Sequence, residues 1–374
     1  MNQLNPELLK TICDNAANVD SKREFPRKNL ELLASSGLMG LLVPVSCSGK
    51  DAGALEFAET VREIGKACAS TGMVFLMHCC ATEVIAKHHK GKESLLNQAA
   101  SGKHISTLAC SERGSGANFA ASDSCSEKIG DVYLLSGSKA FVTSGSHADS
   151  YVVSTRSVDS KSCIETSIYL LEKGATGSSF QGEWQGVGLR GNSSVALELS
   201  KCEIPAANLL GNQGQGLEIE MSTILPRFLL GSSAVYNGIA EAALAAALDH
   251  VKTREHSHTG EKLSSLPVLR NKLARMSVSV ESSLALMRAA ARLWDDDKNS
   301  PALLLSLLKS KQLACRTAVD VAVLAMETCG GIAYSGAMPL ERHLRDAQAG
   351  VVMAPTNDIL LDLIGKAILD LPLL

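Results

Sequence analysis

Residues 108–122, LACSERGSGANFAAS, and residues 130–149, GDVYLLSGSKAFVTSGSHAD, decide how the chain is read. In the first, a strand-like run ends in a glycine- and serine-rich turn, whose exposed backbone N–H groups can approach a phosphate or a flat ring closely. In the second, a hairpin leads into Phe141, Val142 and Thr143 and then a Ser-Gly turn. Around them, residues 106–215 are short β-rich runs (SYVVSTR, SIYLLEKG, SVALELSKCEIP) broken by Gly, Ser and Asp. Val195, Leu197 and Leu199 alternate with Ala196, Glu198 and Ser200, the pattern of an antiparallel sheet with one buried face.

Outward from this segment the periodicity changes from two to that of helices. Upstream, over residues 1–105, Leu8, Leu9 and Ile12, then Leu30, Leu32 and Leu33, then Phe57, Val61 and Ile64 fall at helical spacing, separated by Gly37, Gly40, Pro44 and Gly49. Downstream, over residues 216–374, SSAVYNGIAEAALAAALDHVKTRE is rich in the helix formers Ala and Leu, and further helices are expected near 266–295, 300–329 and 356–370. Four long helices with short connections predict a bundle. The expected architecture is α+β: a helical domain, a compact β domain and a C-terminal four-helix bundle.

Composition sets limits on function. The 374 residues are 45% hydrophobic and 20% charged, with net charge −3 and pI about 6.3. Without a basic surplus, and with only 4% aromatic residues to stack on bases, nucleic acid is not an expected partner. No run approaches 18 uninterrupted apolar residues and the N-terminus lacks a signal-type apolar stretch, so no membrane association is expected. Eleven cysteines, an odd number without a C-x-x-C pair, read as reduced thiols of a cytoplasmic protein. His88-His89 and His256-Ser257-His258 have no companion cysteine or carboxylate array, and no metal site is expected.

Two further motifs complete the pattern: GLRGNSSVALELSKCEIPAANLLGNQGQGLEI (188–219) and METCGGIAYSGAMPLERHLRDA (326–347), a helix broken by paired glycines and followed by a charged helix. Singly, Phe141 reads as well as a core residue, Thr143 as a strand residue and Gly330-Gly331 as a helix terminator. Together, in this order and spacing, the four motifs resemble the acyl-CoA dehydrogenase family over nearly the whole chain.

The resemblance implies FAD bound between the domains and a homodimer or homotetramer in which a neighbouring subunit completes the site. It implies that Leu108–Ala117, including Cys110, Ser111 and Gly116, wraps the flavin, with Ser111 bonding the ring. Phe141 then packs on the ring and Thr143 faces flavin N5, where a hydroxyl donor steadies the reduced form. Arg254 reaches a neighbour's FAD phosphates, a task suited to a guanidinium fork. Glu327, Gly330 and Gly331 lie along the same FAD, and Thr356 and Asp358 near the cofactor. Arg227 and Ala117 fall on the side of an acyl-CoA or acyl-carrier substrate. No residue names the electron acceptor.

The chain departs from the family in its chemistry. Where the family carries a catalytic glutamate this sequence has Ala354, in Met353-Ala354-Pro355-Thr356; at the alternative position, before the bundle arginine, it has Pro226. Neither can accept a proton. A positioned base contributes about 10²–10⁴-fold in rate, so the catalytic residue is unassigned. Asp358 is a weak substitute, since Thr356 reads as a helix N-cap with Asp358 in the first turn. Glu327 replaces a usual glutamine and would repel pyrophosphate unless paired. Three functions stay open: an FAD-dependent oxidoreductase on an acyl thioester, a flavin-dependent monooxygenase on the same fold, and a non-catalytic member.

Overall fold

The computed structural model describes residues 4–89, 91–116, 118 and 120–373. The chain begins with five helices: α1 (Pro6–Ser21), α2 (Arg27–Ser35), α3 (Ala54–Ala67), α4 (Ala69–His88) and α5 (Glu93–Ala100). Pro6 opens α1, where its missing N–H has no partner to lose, and the Asn5 side chain accepts from the Glu7 N–H. A single extended residue, Cys68, separates α3 from α4. α4 is apolar on every side and is long and apolar enough to cross a membrane, yet 89% of its apolar window is buried in the protein. Such a helix is the centre of a core.

Eight strands follow: β1 (Ser106–Ala109), β2 (Cys125–Ile129), β3 (Val132–Val142), β4 (Ser150–Arg156), β5 (Thr166–Glu172), β6 (Ser178–Gln181), β7 (Val195–Pro205) and β8 (Leu209–Leu210). They form one sheet in the order β6-β7-β3-β2-β4-β5-β8. Val195, Leu197 and Leu199 point inward as their alternation predicts. The sheet is not purely antiparallel: β1 pairs in parallel with β4, Ser106 opposite Ser150. The glycine-rich turn and the β2–β3 hairpin lie between these two strands in sequence, and that length supplies the crossover a parallel pair needs.

A short helix α6 (Gly216–Ile219) runs through one wide π-helical turn, Glu220–Ile224, into α7 (Leu225–Thr253). Then come α8 (Pro267–Asp296), α9 (Leu303–Cys329), α10 (Gly331–Tyr334), α11 (Leu340–Val352) and α12 (Asn357–Ile368). Only α7, α8 and α9 are long. The fourth place beside α7 and α9 is taken by the 13-residue α11, which the sequence shows as the charged helix of the fourth motif. α12, expected as the fourth long helix, has 12 residues and packs on α9.

The helical layers are tied together by charge and by close approach. Arg62 of α3 pairs with Glu59, Glu63 and, in α7, Glu241, while Arg288 of α8 reaches Glu59. Both carboxylate oxygens of Asp295 accept the first N–H groups of α3, from Ala54 and Leu55, closing donors the helix itself cannot use. A Cβ on Gly238 would stand 2.5 Å from the Arg62 carbonyl, so glycine sets the α3–α7 spacing.

Candidate active site

The three regions meet around a cleft of about 610 Å³, within the usual size of a ligand site. β1 and the turn after it contribute Leu108, Cys110, Ser111, Glu112, Arg113 and Gly116; the end of β3 contributes Ala140, Phe141 and Thr143. The loop between β6 and β7 adds Trp184, Leu189, Asn192 and Ser194. Helix α4 adds Met73 and Met77, the π turn and α7 add Glu220, Ile224, Leu225 and Phe228, and the far wall is Ala349, Val352 and Met353–Thr356.

Phe141 is presented to this space by its backbone. A register shift between Lys139 and Val142 breaks the β3–β7 ladder, and Phe141 has φ +56°. That left-handed conformation is unfavourable for a side chain with a Cβ. Phe141 is 64% exposed, and Trp184 meets its ring edge-on at 6.5 Å. Thr143, next but one along the chain, is buried with its hydroxyl 3.2 Å from that of Ser194.

The opposite wall is held by a buried cation. Lys311 of α9 has no exposed surface and donates to the carbonyls of Met353 and Pro355 at 3.1 and 2.7 Å. Burial pulls its pKa below the usual lysine value. Thr356 caps α12 by accepting from the Ile359 N–H, and Asp358 sits exposed in the first turn beyond it, outside the cleft lining.

The two carboxylates among the described lining residues are unlike each other. Glu112 is saturated: it takes Lys139, the Ser122 hydroxyl and the backbone N–H groups of Asp123 and Ser124. Burial would raise its pKa, but Lys139 and these donors prevail and hold it below the ordinary glutamate value. Glu220 is 4% exposed, and its Oε2 is buried without a hydrogen-bond partner. Burial pushes it up to about 7, against the opposing pull of Ser154 and Lys139. Cys110 is pushed to about 12 by burial and by the charge of Glu220, and stays a thiol.

Of the residues singled out in the sequence, Leu108, Cys110, Ser111, Gly116, Phe141, Thr143, Ala354 and Thr356 converge on this cleft. Ala117 lies outside the described residues. Arg227 does not reach the cleft lining: its guanidinium is buried, pairs with Glu83 at 2.7 and 3.0 Å, and stacks over Trp294 and Phe57. Pro226 is also buried, at the start of α7. Arg254, Glu327, Gly330 and Gly331 lie at helix ends away from the cleft. Arg254 caps α7, Glu327 pairs with Lys272 at 3.1 Å, and Gly330 ends α9 at φ +65° with open space around it and Gly331. Sequence reasoning covered Arg113 only as part of the Leu108–Ala117 segment, and it did not single out Trp184, Asn192, Ser194 or Glu220.

The comparisons agree with the geometry. The profile of the acyl-CoA dehydrogenase N-terminal domain matches residues 7–103, that of the middle domain 107–202 and that of the C-terminal domain 214–369. The cyclohex-1-ene-1-carbonyl-CoA dehydrogenase of Geobacter metallireducens is 31% identical over 371 residues, covering 96% of this chain and 94% of the relative. The acyl-CoA dehydrogenase of Bacillus subtilis is 30% identical, covering 96% and 94%. Among solved structures, the butyryl-CoA dehydrogenase of Megasphaera elsdenii superposes with a TM-score of 0.90 at 26% identity, covering 99% of this chain and all of the other. The chain belongs to the acyl-CoA dehydrogenase family. It is accordingly a flavoenzyme with FAD as its cofactor.

The cleft fits a flavin. Aromatic rings at Phe141 and Trp184 and apolar flanks at Leu108 and Leu225 suit a flat heterocycle. The hydroxyls of Ser111, Thr143 and Ser194 suit its polar edge, and the Oδ1 of the lining residue Asn192 is buried without a partner. Ser111, Phe141, Thr143 and Ser194 would hold the ring.

Proposed function

We propose that the protein is an FAD-dependent oxidoreductase acting on an acyl thioester carried by CoA or a carrier protein. The observation that carries this reading is a cleft shared by a wall of Ser111, Phe141 and Thr143, suited to a flavin, and an apolar pocket between α4, α7 and the Met353–Thr356 loop. When bound, FAD supplies a two-electron oxidant. The chain's own work is to exclude water, orient the acyl group against the apolar wall and provide the proton acceptor.

A homo-oligomer supports the rest of the site. Arg254, Glu327, Gly330 and Gly331 lie outside the cleft, the two glycines face open space, and the apolar side chains of Val278, Val323, Ile332 and Tyr334 are exposed on α8 to α10, all of which suits contact with a second copy. Eleven unpaired cysteines favour the reducing cytoplasm.

The test compares anaerobic and aerobic reactions. Yellow protein that releases FAD on denaturation and is bleached by an acyl-CoA supports the reading. Oxidation that depends on a supplied flavin reductase and oxygen, without bleaching by any thioester, would replace it with the monooxygenase function.

A further inference from the structure

Ala354 and Pro226 leave the cleft without a base at either position where the resemblance places one, yet the cleft is not without a carboxylate. Glu220 opens the π turn, and the N–H of Leu225 reaches back five residues to the Glu220 carbonyl. Pro226 follows at once. It has no N–H to donate to residue 222, and its ring crowds that carbonyl. A wide turn relieves this conflict. It also resets the helix register, so that Glu220, Ile224, Leu225 and Phe228 all line the cleft while Arg227 turns inward to Glu83.

The groups facing Glu220 are the Cys110 thiol, the Ser154 hydroxyl of β4, the Lys139 ammonium of β3 and the Glu112 carboxylate. Lys139 is already committed to Glu112, which is itself saturated. Glu220 is therefore the one carboxylate among the described lining residues with an unengaged oxygen.

We infer that Glu220 is the proton acceptor of this cleft, standing in for the carboxylate missing at Ala354 and Pro226. The inference rests on the acyl-thioester reading. In the step assigned to it, the Cα–H bond of the acyl group breaks, the proton passes to the Glu220 carboxylate, and the electron pair delocalises into the thioester carbonyl. Its pKa of about 7 suits an acceptor near neutral pH.

α-Proton exchange tests this without requiring net oxidation. The FAD-loaded protein is incubated anaerobically with butyryl-CoA or octanoyl-CoA in D2O, and deuterium at the α carbon is read by mass spectrometry. Wild type exchanges, with a rate that rises to a plateau above about pH 7, and Glu220→Gln lowers it about 10²-fold or more while retaining FAD. Should Glu220→Gln not fold, Ser154→Ala serves: loss of its hydrogen bond moves the pH midpoint upward with exchange retained. Wild-type exchange rates in Glu220→Gln, or an unmoved midpoint in Ser154→Ala, overturn the inference and leave the acyl-thioester reading intact. If wild type itself exchanges neither thioester and is not bleached by it, both fall.

Discussion

Lys311 and Pro355 are joined across the cleft's far wall by a 2.7 Å hydrogen bond from the buried ammonium to the proline carbonyl. A second bond, to Met353, makes this lysine the sole described side-chain donor to the loop that carries Ala354. Lys311→Ala removes both hydrogen bonds and leaves a cavity. Each orphaned carbonyl costs about 1–3 kcal/mol and the lost stem adds to that. The expected outcome is a loss of roughly 3 kcal/mol or more in thermal or denaturant unfolding, together with weaker FAD retention. Unchanged stability would mean that the loop is held from elsewhere.

Lys139 and Glu112 give a sharper test because both are sealed from solvent. Lys139→Met strands Glu112, and breaking one side of a buried pair costs about 3–5 kcal/mol. The Lys139→Met/Glu112→Gln double variant removes the stranded charge and is expected to recover part of the loss. Since the folded pKa of Glu112 is depressed, its stabilisation is present above about pH 4.5 and is lost as pH falls through the folded value. Wild type is therefore expected to lose stability below pH 4.5 by more than Lys139→Met does, as read by unfolding midpoints across pH 3–7.

Much of this framework was legible. The switch from helical to alternating periodicity and back gives the three regions, and Thr356 was readable as an N-cap. Other parts were not. α4 is apolar all round, so nothing in its sequence shows that Met73 and Met77 face the cleft. Trp184, Asn192 and Ser194 lie in a loop without periodicity. Glu220 had a faint signal, since Glu220, Ile224 and Phe228 share a helical stripe on which a carboxylate is out of place. The π turn that completes the arrangement depends on Pro226, read in sequence only as a missing base.

Phe141 separates binding from stability. Glycine relieves the left-handed backbone, worth about 1–2 kcal/mol, but loses about 0.5–1 kcal/mol to chain entropy. With the residue 64% exposed, little packing is lost. Phe141→Gly is therefore expected to leave the apoprotein within about 1 kcal/mol of wild type, while weakening FAD by roughly tenfold or more through loss of the aromatic contact. Unfolding of the apoprotein and fluorescence titration with FAD check the two halves independently.

Glu220 makes a prediction about stability of the opposite sign to most core substitutions. Its folded pKa is raised, from 4.5 to about 7. A raised pKa means that the folded state binds the proton more tightly than the unfolded chain does. Stability is then greatest below pH 4.5 and is lost as pH rises through 7. At pH 8 a buried, ionised Glu220 costs on the order of 3 kcal/mol, from the conversion of about 1.4 kcal/mol for each pH unit between those values. Glu220→Gln escapes this cost. It is expected to unfold at a higher temperature than wild type at pH 8 and to lose that advantage by pH 4.5. Cys110 and Glu112, the other acids facing it, do not produce this pattern: the thiol ionises only near pH 12 and Glu112 stays charged throughout the window. A stability gain that is the same at both pH values would assign Glu220 a packing defect instead of a held proton.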